Sequence, residues 1–332
     1  MYTFTKKIIR SLLAFVIAIG GLALTRSHAS AALTINLCAV AGTWQPLPVT
    51  SSGVNFPIWG FADGGTGTSP VCTSAVASLP GPVYYVTAGD TVTINIANLL
   101  PGTHTINFEI PGVSFNPGPT DGSAPITFTA SAGTYLYQSG GDAGRQEAMG
   151  LYGALIVRPT GFPTVPGQAY GAATTAFDVE AILVLSQVDP AFNAAPDTFL
   201  MTDYLATYWL INGKAYPDTD PILATTGQKV LLRYVNAGYD NTTMMLLGMH
   251  EQVLARDAYL LNNPFLANAE TIPAGGTEDA IAAVPSSGAG PNGFALYNRQ
   301  LHVTNGAACL STGPCVPNPN YTPGGMLTFI VP

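Results

Sequence analysis

The chain has 332 residues; 47% are hydrophobic, only 9% are charged, and 36 are glycine and 27 proline. That apolar content excludes a disordered chain, and glycine without a three-residue period excludes collagen. A net charge of −8 with no runs of Lys or Arg leaves no footprint for nucleic acid.

The first segment, residues 1–31, is expected to be a secretory signal peptide. Lys6, Lys7 and Arg10 make its positive start, Leu12 to Leu24 its apolar stretch and Ala29-Ser30-Ala31 its small-residue cleavage site. That stretch is too short for a comfortable membrane span and no later stretch replaces it, so no transmembrane segment is expected. The remaining chain is expected to be exported, either periplasmic or extracellular. Losing the four basic residues of the signal leaves seven Lys and Arg against 19 Asp and Glu, a formal charge of −12.

Cys38, Cys72, Cys309 and Cys315 then reside where disulfides form, and none has zinc-site spacing. Three connectivities are open; the closeness of Cys309 and Cys315 favours a local bridge, which leaves Cys38 with Cys72. Val83 to Val86, Thr91 to Ile96, Pro125 to Thr129 and Thr134 to Tyr137 read as short strands, with period-two alternation clearest in Thr91 to Ile96. Frequent Gly and Pro break helices and supply turns, the pattern of β-sandwiches. Gln252 to Asn262 is the best helical candidate. Asp218 and Asp220 read as turn residues.

The chain repeats itself. Thr87-Ala88-Gly89-Asp90-Thr91-Val92-Thr93-Ile94-Asn95-Ile96-Ala97-Asn98 matches Thr225 to Asn236, and Gly153 to Pro159 matches Gly325 to Pro332. Two similar sandwich domains are expected, at 32–160 and 176–332, with a linker at 161–175.

These residues carry a family resemblance. Gly133-Thr134-Tyr135-Leu136-Tyr137 followed by Gly150 to Val157 resembles the copper-site end of a cupredoxin domain in the multicopper oxidases. Tyr208 to Pro217 and Val230 to Gly238 resemble the opening of a following cupredoxin domain, and Gly324 to Ile330 its final strand. The resemblance implies an all-β chain of two tandem cupredoxin-like Greek-key β-sandwich domains, similar to the two-domain oxidases and the copper nitrite reductases.

It also implies where copper would sit. A type 1 copper takes two imidazoles, a thiolate and usually an axial Met. The family's His-Cys pair reads Gln138-Ser139 here, its later His reads Gln146, and its axial position reads Leu151. His104 keeps the first His of the pattern His-x-x-Asp-Phe-His, but Asn107 replaces the catalytic Asp and Glu109 the type 2 copper His. His250 matches a non-ligand catalytic His, and Arg299 falls where a type 2 His is expected. These are degenerate copper positions, and no cofactor is expected. The alternative is a residual copper site from His104, Glu109, His250 and His302, or a copper(I) route through Met244, Met245 and Met249. Between subunits, a Glu109–Arg299 pair would take the place of the type 2 metal.

The expected function is therefore an exported multicopper-oxidase-like protein without its copper ligands, acting as a structural, binding or assembly scaffold. Its expected partners are proteins, including copies of itself in a trimer or larger assembly. The alternatives are a copper-dependent oxidoreductase with a non-standard site and a copper-handling protein.

Overall fold

Alternation in the sequence becomes alternation of burial. In the strand Thr91–Leu99, the side chains of Val92, Ile94 and Ile96 turn inward while their neighbours do not. The computed structural model describes residues 32–46, 55–115, 121–305 and 322–332; the expected signal peptide, Cys309 and Cys315 lie outside the described residues. No described helix is long and apolar enough to cross a membrane.

The first half contributes β1 (Ala32–Trp44), β2 (Phe56–Asp63), β3 (Tyr84–Thr87), β4 (Thr91–Leu99), β5 (Phe108–Glu109), β6 (Ile126–Thr129), β7 (Gly133–Ser139) and β8 (Tyr152–Arg158). They form two four-stranded sheets, in the orders β2-β1-β4-β6 and β3-β8-β7-β5. Between the sheets lie Leu37, Phe61, Val92, Ile94, Phe108, Phe128, Tyr137 and Leu155. Cys38 on β1 is bonded to Cys72 in the loop after β2.

In the second half, an eight-stranded sheet faces a five-stranded one. Leu183, Leu185, Val230, Leu232, Met244, Phe294, Leu296 and Ile330 fill the space between them. The sequence repeat is a repeat of topology. β4 runs parallel to β1, and its counterpart Lys229–Asn236 runs parallel to Val179–Val188. The closing strand β8 runs parallel to β3, and Leu327–Val331 runs parallel to Ile222–Leu223. Gly89 and Gly227 sit at the same turn with φ of 89° and 87°, a left-handed conformation that glycine adopts without strain. The fold is thus two tandem cupredoxin-like β-sandwiches. The segment between them is partly ordered as a small ribbon, with Gly167–Gln168 paired to Ala176–Phe177.

The expected helix at Gln252 to Asn262 is instead a hairpin of Glu251–Arg256 and Tyr259–Ala267. Arg256 pairs with Tyr259, so Asp257 and Ala258 form a two-residue turn, and both have positive φ.

β7 and β8 are buried on both faces, so their sequence does not alternate. One face covers the first core; Leu136, Tyr152 and Ala154 on the other meet Val184, Val188, Leu210 and Val235 of the second half. A charged joint lies beside this apolar seam. The fully buried Arg233 bonds Glu180 Oε1 at 2.7 Å, Asp279 Oδ2 at 3.1 Å and Thr134 Oγ1 of β7 at 2.9 Å. Arg158 of β8 pairs with the other oxygen of Glu180, and Tyr170 OH donates to Asp279 Oδ2 at 2.6 Å. Burial works against the Arg233 charge, but the Asp279 and Glu180 carboxylates outweigh it and hold its pKa above the usual value.

Candidate functional site

The antiparallel pairing of β5 with β7 sets Phe108 opposite Ser139 and Glu109 opposite Gln138. This register brings the candidate positions of the two segments together. The short helix Arg145–Met149 then returns over the end of β7 and inserts Gln146, which is fully buried. Ser139 Oγ donates to Gln146 Oε1 at 2.6 Å and accepts from the Asn107 backbone N–H at 2.9 Å. Gln146 Nε2 donates to the Thr105 carbonyl at 2.9 Å. Leu151 closes the base: its N–H bonds the Gln146 carbonyl, and its own carbonyl accepts from Ser139 N–H. Four of the expected positions, Asn107, Ser139, Gln146 and Leu151, thus form one closed cluster. A buried primary amide is costly unless it is bonded, and here both ends of the Gln146 amide have partners. Gly141 makes room for it, since a Cβ there would lie 2.8 Å from the amide carbon.

His104 turns to a different set of partners. Its ring lies against Trp59, with centroids 4.3 Å apart. Nδ1 is 2.6 Å from Asp142 Oδ2 and Nε2 is 3.1 Å from Asp197 Oδ1. Both ring nitrogens thus face carboxylate oxygens. Asp197 arrives from the second half, on a segment that lies over the first. Asp189 caps the helix Pro190–Ala194 at its N-terminus, accepting from Ala191 N–H and Phe192 N–H. Phe192 enters the first core, Asn193 Nδ2 donates to the Pro57 carbonyl, and Arg145 donates to the Pro196 and Phe199 carbonyls. An open cavity of about 440 Å³ borders His104, Asp142, Arg145 and Asp197.

Glu109 and Gln138 face a second acidic group. Gln138 Nε2 donates to Glu109 Oε1 at 2.6 Å and to Glu147 Oε1 at 3.1 Å. Burial, with the Glu109 charge adding to it, raises the Glu147 pKa to about 7. Glu147 lines a cavity between the halves with Tyr152, Tyr204 and Tyr239.

The remaining candidates do not join these groups. His250 is exposed in the turn before Glu251–Arg256. His302 stacks on Trp209 with centroids 4.3 Å apart and planes 12° from parallel. Burial lowers the His302 pKa, opposed by Asp240. Arg299 is exposed, and within the chain Glu109 takes Gln138 as its partner. Met244 and Met249 are core residues, and Met245 Sδ accepts from Tyr297 OH at 3.3 Å. The residual set His104, Glu109, His250 and His302 is not brought together: among the described residues no three His, Cys, Asp or Glu side chains are grouped to hold a metal ion.

Sequence reading missed Glu147, Asp142, Asp197 and the Arg233 joint. Arg233 had a signal, being a charge inside the apolar run Val230 to Val235. Asp197 had none, because its role depends on the fold of the overlying segment.

The chain matches the family model for a multicopper oxidase domain over residues 65–161. It is 25% identical to Laccase-25 of Oryza sativa over 238 residues, 64% of this chain and 40% of that protein. It is 29% identical to Copper resistance protein A of Escherichia coli over 150 residues, 42% of this chain and 23% of that protein. The matches thus span less than half the length of these curated relatives. In structure it is similar to the Blue Copper Oxidase from Nitrosomonas europaea, with a TM-score of 0.66, 21% identity, and coverage of 91% of this chain and 85% of that one. The first half of the chain thus carries a match to a multicopper oxidase domain, and the described fold is that of the solved multicopper oxidases.

Proposed function

We propose that this is an exported, copper-free member of the multicopper oxidase family that serves as a structural or binding scaffold. The closed Ser139–Gln146 cluster carries the reading. A type 1 copper requires a soft thiolate and two imidazoles in trigonal array. The positions aligned with that site offer a hydroxyl, an amide and an isobutyl group, and the two polar ones bond each other and the backbone. His104, the one imidazole aligned with the site, has both nitrogens on carboxylates. This donor set does not fit the metal.

The scaffold part is supported by the edge of the eight-stranded sheet. Tyr259–Ala267 is its outermost strand, and Tyr259, Leu260, Phe265 and Leu266 are exposed along it. An apolar edge strand with open backbone groups is a template for pairing with another strand. Sedimentation velocity on chelator-treated protein tests this. Self-association that survives the chelator and is abolished by Leu266→Lys supports the reading. A monomer at all concentrations, with electron transfer from a reductant to oxygen that stops on chelation, would overturn it.

A further inference from the structure

The cavity between the halves lies away from the exposed edge strand Tyr259–Ala267 and shares none of its residues. It encloses about 270 Å³, too little for the drug-sized ligands that fill pockets of roughly 300–1,000 Å³. Glu147 enters it from the first half, and Gln187, Tyr204 and Tyr239 from the second. The Tyr204 and Tyr239 ring centroids are 5.1 Å apart and their planes are tilted by 38°. Glu147 and Tyr239 meet beside Gly144, where a Cβ would lie 3.5 Å from Glu147 Oε2 and 3.9 Å from the Tyr239 ring.

Most donors around this space are already committed. Gln138 Nε2 bonds Glu109 and Glu147, Gln187 Nε2 bonds Asp240, and Tyr204 OH bonds the Gln187 carbonyl. Among the described residues no Lys or Arg lines the cavity. An anion therefore finds no positive partner there. A hard dication needs six or more oxygens and finds one lining carboxylate. An organic cation needs one negative charge for its N–H groups and aromatic faces for its apolar part, and both are present. The net charge of −8 favours the approach of cations.

We propose that this cavity binds a small organic cation of the primary alkylammonium class. Glu147 accepts from the ammonium group, and Tyr204 and Tyr239 flank the alkyl stem.

The test is calorimetric titration of the folded chain with propylammonium chloride at about pH 8.5, where Glu147, whose pKa is about 7, is ionised. Sodium chloride and sodium propionate at equal ionic strength are the controls. Saturable binding of propylammonium alone is expected. Glu147→Gln, which keeps the side-chain shape, should weaken it at least ~10-fold. Tyr239→Ala, at a half-exposed position, should weaken it roughly two- to fivefold. No saturable binding, an equal response to sodium chloride, or an affinity unchanged by Glu147→Gln would overturn the proposal.

Discussion

Removing the Ser139 hydroxyl tests whether the cluster at the copper-aligned positions is one closed unit. Ser139→Ala deletes two bonds at once, to Gln146 Oε1 at 2.6 Å and from Asn107 N–H at 2.9 Å. Gln146 is fully buried, so its carbonyl oxygen is left without a partner. The unsatisfied Gln146 oxygen costs roughly 1–3 kcal/mol and the bond lost from the exposed Asn107 about 0.5–1.5 kcal/mol, which puts Ser139→Ala at about 2–4 kcal/mol. Gln146→Leu costs less, about 1–2 kcal/mol, because it exposes no new amide and Thr105, its other partner, lies at the surface. In the double variant the two losses overlap, since neither side chain then waits for the other. A coupling energy of about 1–2 kcal/mol is expected from urea unfolding of the two single variants and the double. Strictly additive losses, with coupling under ~0.5 kcal/mol, would refute a closed network.

Three further outcomes follow from the same structure. Arg233→Met leaves Asp279 buried without a cationic partner and Glu180 with Arg158 alone, a loss of roughly 3–5 kcal/mol that calorimetry should read as a Tm lower by about 10 °C; a change under ~1 kcal/mol would contradict the joint. Burial raises the pKa of Glu251 to about 8 and of Glu278 to about 7, each with one carboxyl oxygen unbonded. The folded state then holds protons that the unfolded state has released, so the stability these groups contribute is complete below their ordinary carboxylate range and is lost as pH rises through 7 to 8. Melting curves across that range should show Tm falling, and Glu251→Gln should flatten the fall while keeping an acceptor for Tyr234 OH. Reduction of Cys38–Cys72, whose partners are 34 residues apart, should cost about 3–4 kcal/mol in the same unfolding assay, and no change would argue against the bridge.

Much of the fold is readable from local chemistry. The Gly89 and Gly227 turns and the strands after them announce the repeat, because a left-handed turn needs glycine and a half-buried strand must alternate. The hairpin at 251–267 shows the limit. Asn212 and Gly213 form a left-handed pair in a tight turn, and their sequence is a known turn signal. Asp257 and Ala258 adopt the same geometry, but alanine rarely does so, and the segment resembled a helix. At the candidate site the sequence named Glu109, Gln138 and Ser139 only as family positions and expected Arg299 opposite Glu109; the β5–β7 pairing that sets Glu109 beside Gln138 is visible in the structure alone. Asp197, Glu147 and Asp279 come from segments whose positions only tertiary packing decides. The family positions of His104 and His250, and the sequence around His302, do not determine where the rings turn; Trp59, solvent and Trp209 decide that.

The most direct test of a copper-free site is elemental analysis after copper loading and desalting, read beside the visible spectrum. A hydroxyl–amide cluster in place of the thiolate and imidazole should leave copper far below one ion per chain, with no blue absorption. Stoichiometric copper that is lost on His104→Ala would contradict the proposed function and place a metal centre at the His104 end of the first sandwich.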